Sequence, residues 1–277
     1  GVEGIFPTNY PNLRVFEAQL NALQAFHLPL QLVISENVVC NDGDLLFNMG
    51  KGGLWKPFIK WLTHEFPEGI VNKLKQLYPK VYIYQDGEIG WWNREDAIIQ
   101  AWWHTQLSAA DGILVPNSTD VPFYKGLFPN SDIRVIRSIM SDEGLDPSKF
   151  KPKEDRVILN GPLTTEYIGH SQLRIAHNSG MKIEIPPMGE SRMPKDSWDT
   201  APIFDVNYLE YMSWHDWMYN LNRYKIGYML TPAIASASFA LNCAYLGIPC
   251  IGYDKADVQR ILFPDLSIDL AILANPS

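Results

Sequence analysis

Residues 81–94 read VYIYQDGEIGWWNR, and their side chains could do chemistry. An apolar run with β-branched and aromatic residues ends at Gln85. Asp86, Glu88 and the paired indoles of Trp91 and Trp92 follow. A carboxylate beyond a strand end can take a proton from a hydroxyl, and an indole can stack on a flat ligand such as a sugar face or a base. In open α/β sheets the ends of the strands are where ligands sit. The alternative is that Asp86 and Glu88 cap the next helix or turn, and that Trp91 and Trp92 belong to the core or staple that helix.

Other groups invite the same question. Met49-Gly50-Lys51-Gly52-Gly53 lets backbone N–H groups approach a phosphate, with Lys51 adding charge. The spacing is not that of a P-loop, so the segment is read as an acceptor-side loop. Asp42-Gly43-Asp44 has the spacing of a metal-binding Asp-x-Asp pair but is read as a turn. His104, between Trp103 and Thr105 in a helical stretch, is read as structural. Gly189-Glu190-Ser191-Arg192 follows a strand and offers Arg192 to an anion.

Bulk properties narrow the field. The chain has 277 residues, 46% hydrophobic and 19% charged, with net charge −8. That composition is globular and long enough for a large core. No basic face is advertised, so nucleic acid and anionic membranes are not expected partners. No apolar run approaches the ~20 residues of a membrane helix. The start, GVEGIFPTNY, shows no secretory signal. Three cysteines, Cys40, Cys243 and Cys250, lack paired spacing, which fits a reducing, cytoplasmic setting. No Cys/His cluster has zinc spacing, and no metal is expected.

The elements that position these groups alternate. A helix is predicted over Val15–Phe26, and short strands over Leu30–Ser35 and Asp44–Asn48. Ile59–Tyr78 reads as mostly helical with a break near Pro67. Lys80–Gln85 (strand), Arg94–Ala109 (helix), Gly112–Pro116 (strand), Val121–Leu127 (helix) and Ile133–Ile136 (strand) follow. Residues 138–156 are polar and unperiodic and read as a linker. A second series runs Arg156–Asn160, Ile168–Ser179, Met181–Ile185, Phe204–Tyr208, Trp214–Arg223, Ile226–Thr231, Ala235–Leu246, Pro249–Tyr253 and Lys255–Phe263. Gly180 and Gly247 serve as helix C-caps. The expected fold class is α/β, with two Rossmann-like domains facing a cleft. The boundaries are 1–138, a hinge at 139–155, and 156–277.

The segment LSAADGILVPNSTDVPFYKGLFPNSDIRVIRSIMSDEGLDPSKFKP, with LNGPLT and KIGYMLTPAIASASFALNCAYLGIPCIG after it, resembles GT-B glycosyltransferases of the family 4 (group 1) type. The counterparts of that pattern are Ala110-Asp111, Val115–Ser118, Ile133–Ile136 and Gly144–Pro152. The resemblance spans most of residues 80–255 and is divergent. It implies a transferase that moves a sugar from a nucleotide-sugar co-substrate to an acceptor, without a metal cofactor. It places Asn242 where the family carries a glutamate that binds the donor ribose, and Ile234 where it carries another. The diphosphate-binding Arg and Lys of the family are absent from Gly161–His170, and Arg174, Arg192 and Lys195 are the available substitutes.

On this reading Gly161, Arg192, Ser236, Ser238 and Asn242 bind the donor. Gln85, Trp91, Trp92 and Lys51 bind the acceptor, and Asp86 or Glu88 is the base. Ser236 and Ser238 have ordinary helix capping as their alternative role. Retaining or inverting stereochemistry, the sugar, the acceptor and the oligomeric state are not legible. A non-catalytic two-lobed sugar or nucleotide binder and a GT-B-fold epimerase are the alternative functions.

Overall fold

The computed structural model describes residues 45–48, 63–85, 96–140, 142–160, 169–186, 204–210, 212–231 and 237–269. The helix and strand expected at 15–26 and 30–35 lie outside them. The described residues divide into two compact units, between Arg137 and Ser138.

Among the described residues the first unit holds four parallel strands in the order β1-β2-β3-β4. They are Leu45–Asn48, Val81–Tyr84, Gly112–Val115 and Asp132–Val135. All of β3 is buried, as a central parallel strand covered on both faces should be. The helices are α1 (Val71–Leu74), α2 (Ala97–Ala109) and α3 (Val121–Leu127). Trp102, Trp103 and Leu107 of α2 pack with Val81, Ile83, Ile113 and Val115 from the strands. Of the stretch expected to be mostly helical over 59–78, residues 63–65 are helical, the expected break falls around Pro67, and α1 starts after Gly69 at φ 100°. Buried Gln106 explains the break, because its Oε1 accepts from Ile70 N at 2.8 Å and Val71 N at 3.2 Å. Those are first-turn donors with no partner inside the helix.

Among its described residues the second unit holds six parallel strands. In chain order they are β5 (Arg156–Leu159), β6 (Lys182–Ile185), β7 (Val206–Tyr208), β8 (Ile226–Met229), β9 (Cys250–Tyr253) and β10 (Ser267–Ile268). Their order across the sheet is β10-β9-β8-β5-β6-β7. The chain builds outward from β5 to β7, returns, and builds the other way from β8. Its helices are α4 (Gly169–His177), α5 (Trp214–Leu221), α6 (Ser238–Tyr245) and α7 (Asp257–Leu262).

Alternation along the strands sorts the core into two layers. Ile158 and Met229 face α5 and α6, meeting Trp214, Met218, Phe239 and Cys243. Val157, Leu159, Tyr228 and Leu230 face α4, meeting Leu173 and Ala176. Glycine is required at Gly227, where a Cβ would lie 2.9 Å from both Cys243 Sγ and the Phe239 ring. Gly180 and Gly247 take φ of 68° and 61°, the left-handed C-cap geometry. One boundary moves. The helix expected from Ala235 begins at Ser238, because Ala237 takes the left-handed conformation at φ 53°. β10 was not foreseen; two residues carry no periodic signal.

Candidate functional site

Each unit has its own set of strand carboxyl ends, the ligand side of an open α/β sheet. In the first, the Gln85 N–H donates to Leu114 O at 2.8 Å and extends the β2–β3 ladder by one residue. Its side chain is 1% exposed, and Oε1 has no hydrogen-bond partner among the described residues. Asn117 and Asp120, just beyond β3, are buried as well. A cavity of about 530 Å³ opens at the start of α2, lined by Thr63, His64 and Asp96–Ile99. Those residues form no motif in the sequence. Exposed Ile98 in the first turn of α2 breaks the apolar-inward pattern and was the available signal.

The opposite edge of that sheet is closed by Asp111. Its Oδ2 accepts from Val81 N at 2.8 Å, and Lys75 Nζ lies 3.0 Å from Oδ1. Burial pushes the Asp111 carboxyl up, but the Val81 amide and the Lys75 ammonium outweigh that and hold it below its ordinary value. The Ala110-Asp111 step therefore pins the starts of β2 and β3. His104 is exposed, with its ring 4.8 Å from that of Phe128 and Nδ1 3.5 Å from Ser108 Oγ, a structural setting.

In the second unit the strand order reverses between β5 and β8, and that switch point is the ligand position of a doubly wound sheet. Asn160 N donates to Tyr228 O at 2.7 Å, holding the two strands together at their ends. Buried Gln172 of α4 accepts from Leu230 N through Oε1 at 3.3 Å. Beyond Leu230 the chain leads into α6. Ser238 is its first residue and half-buried, and Asn242 stands one turn on. Residues four apart share a helix face, and side chains tilt toward the helix N-terminus. Asn242 is thereby directed toward the strand-end side of the sheet. It is 2% exposed, and its Nδ2 has no hydrogen-bond partner among the described residues. An orphaned buried amide of this kind costs roughly 1–3 kcal/mol, so it calls for a partner.

Of the residues expected in the site, Gln85 stands in the first unit and Ser238 and Asn242 together in the second. Lys51, Asp86, Glu88, Trp91, Trp92, Gly161, Arg192 and Ser236 lie outside the described residues, as do Asp42–Asp44, Lys195 and Ile234. Arg174 is exposed in the second half of α4. No group of three or more His, Cys, Asp or Glu suited to a metal occurs among the described residues. No described helix is long and apolar enough to cross a membrane.

No protein-family model matches the chain, and no curated protein does. Solved structures do. The chain superposes over 98% of its length on 73% of sucrose-phosphate synthase from Thermosynechococcus elongatus, at TM-score 0.56 and 12% identity. The pneumococcal O-GlcNAc transferase GtfA, solved with UDP and GlcNAc, matches 66% of this chain at TM-score 0.47 and 12% identity. The lipopolysaccharide outer core galactosyltransferase WaaB matches 75% at TM-score 0.44 and 13% identity. This chain spans 39% of the length of GtfA and 62% of that of WaaB. At 12% identity the likeness to sucrose-phosphate synthase shows the fold alone: α/β with parallel sheets, as in GT-B structures.

Proposed function

We propose that the protein is a glycosyltransferase that moves a sugar from a nucleotide-sugar donor to an acceptor hydroxyl. The observation that carries this is the buried Asn242 amide, orphaned among the described residues, on the helix beside the switch point of the second sheet. An amide N–H there matches a ribose or sugar hydroxyl. The fold shared with sucrose-phosphate synthase supports the same class of chemistry.

In this proposal the donor binds the second unit through Asn242 and Ser238, with Gly161, Arg192 and Ser236. Free N–H groups at the start of α6 receive the diphosphate. The acceptor binds through Gln85, whose Oε1 accepts from a hydroxyl, with Lys51, Trp91 and Trp92. Asp86 or Glu88 takes the acceptor proton as its oxygen bonds to the anomeric carbon and the bond to the diphosphate breaks. The reaction needs no obligatory metal. A cytoplasmic setting is part of the proposal and rests on the cysteine pattern.

A thermal-shift screen of nucleoside diphosphates and nucleotide sugars, with and without Mg²⁺ or Mn²⁺, tests it. Ligand at 100 times its dissociation constant stabilises by about 2.7 kcal/mol. A metal-independent shift with one nucleotide, weakened about tenfold in affinity by Asn242→Ala, is the expected result. Asp86→Asn should keep that binding and abolish turnover if Asp86 is the base. No shift with any nucleotide sinks the transferase reading and leaves a sugar binder.

A further inference from the structure

The stretch before β5 looks like a tether in sequence but is fixed along one helix. Asp146 N donates to Tyr219 Oη at 3.0 Å. Asn222 Nδ2 donates to Lys151 O at 2.7 Å, and His215 Nε2 lies 3.3 Å from Glu143 O. His215, Tyr219 and Asn222 are spaced i, i+4, i+7, so they form one stripe along α5 and its C-cap. The stripe next to it, Trp214, Met218 and Leu221, is in the core. Gly144, at φ 76°, passes so close that a Cβ would lie 2.7 Å from His215 Nε2.

The contacts continue to α6. Leu145 and Phe150 pack on the core layer that contains Phe239, Ala240 and Cys243 of that helix. The Phe150 ring is 5.7 Å from that of Tyr219, and Lys149 Nζ is 5.6 Å from the same ring. Lys153 Nζ then donates to Leu246 O, the C-cap of α6, at 3.2 Å. Burial pushes the Lys153 ammonium below the usual lysine range. A cation on the last carbonyls of a helix satisfies an orphan acceptor and opposes the helix dipole.

We propose that residues 142–154 are a strap that holds α6 in place, and with it Ser238 and Asn242. An eight-residue helix is too short to be stable alone, so its order depends on what it is anchored to. The strap secures the far end of α6 while the candidate donor groups occupy the near end. Releasing the strap therefore lowers the cost of local opening of α6.

Hydrogen exchange read by mass spectrometry on the full chain tests this without any ligand, and so independently of the proposed activity. The variants are Lys153→Met, which keeps most of the stem, Tyr219→Phe, which removes one hydroxyl, and Asn222→Ala. In the unmodified chain, amides of 142–154 and 238–246 should exchange slowly. In Lys153→Met and Asn222→Ala both segments should exchange at least tenfold faster, with α4 and β6 unchanged. Tyr219→Phe should give the same pattern to a smaller degree. Faster exchange in the strap with α6 unaltered overturns the proposal. So does a strap that exchanges like a free peptide in the unmodified chain, or an acceleration spread evenly over the whole unit.

Discussion

The two edges of the second sheet are built on opposite principles. Around the amino end of β5 the charges are matched. Glu184, 1% exposed, receives Tyr224 Oη, Arg156 Nη1 at 2.6 Å and Asn207 Nδ2 at 3.2 Å. Glu154 bridges Arg156 at 2.7 Å and Arg223 at 2.6 Å. At the carboxyl end, Asn242 is as deeply buried as Glu184 but its amide nitrogen is unmatched among the described residues. A closed polar network holds strands together, whereas an open one is a place a ligand can complete. The difference separates residues that keep the fold from residues that are kept for what they bind.

The largest test of that contrast is Glu184→Ala. It strands the Tyr224 hydroxyl and one face of Arg156 in a buried site, at about 3 kcal/mol. The melting temperature should fall by roughly 10 °C, while affinity for any nucleotide ligand stays unchanged. Equal melting would mean that the network contributes nothing.

The same network has a pH signature. Burial pushes Glu184 up, but the hydroxyl and amide donors and the Arg156 and Lys182 charges bring it below its ordinary value. Glu154 is lowered by its hydrogen bond from Arg223 and by the neighbouring guanidinium charges. A carboxylate depressed in the fold stabilises above its unfolded value and loses that contribution as pH falls through the folded one. Melting should thus be flat near neutrality and drop below about pH 4, and Glu184→Gln should blunt the drop. An acid profile identical in the two proteins would remove Glu184 from the explanation.

Next in size is Gly227→Ala. The added methyl meets Cys243 and Phe239, forces α6 off β8, and should cost about 1–3 kcal/mol. Because α6 carries Asn242, this variant should lose stability and ligand affinity together, unlike Glu184→Ala. Retained affinity would show that α6 does not form the site.

The smallest stability effect belongs to Asn242→Leu. It exchanges an orphaned amide for an apolar group of similar volume, so stability should stay within about 1 kcal/mol of the parent or rise. Ligand affinity should fall. A melting temperature lowered as far as in Glu184→Ala would make Asn242 a structural residue and erase the distinction between the edges.

Much of this frame is legible in the amino acids. GILV at 112–115 and the apolar runs at 157–159 and 227–230 announce buried strands, and Gly180 and Gly247 mark helix ends by their conformational freedom. Strand order is not legible, because parallel strands joined by helices carry no local record of their neighbours. The start of α6 was misplaced because Ala235 and Ala237 are good helix formers, while the left-handed turn at Ala237 is set by the chain around it. Gln106 was missed because its partners, Ile70 and Val71, are distant in sequence. Glu184 leaves a readable trace, an acidic residue between the buried isoleucines of KIEI, but not the identity of its partners. Asn242 was found through the resemblance. That its amide nitrogen lacks a partner among the described residues is visible only in three dimensions.

The strand order also sets a timetable for synthesis. β5 lies at the centre of the sheet, paired on one side to β6 and on the other to β8. The β6 side can close soon after it is made. The other side waits for the 66 residues between Leu159 and Ile226. At about 5–20 residues per second that wait is roughly 3–13 s, during which an apolar strand, Arg156–Leu159, presents a bare hydrogen-bonding edge. A nascent chain of this protein is thus most exposed to aggregation, and most in need of chaperone cover, in the interval before β8 emerges.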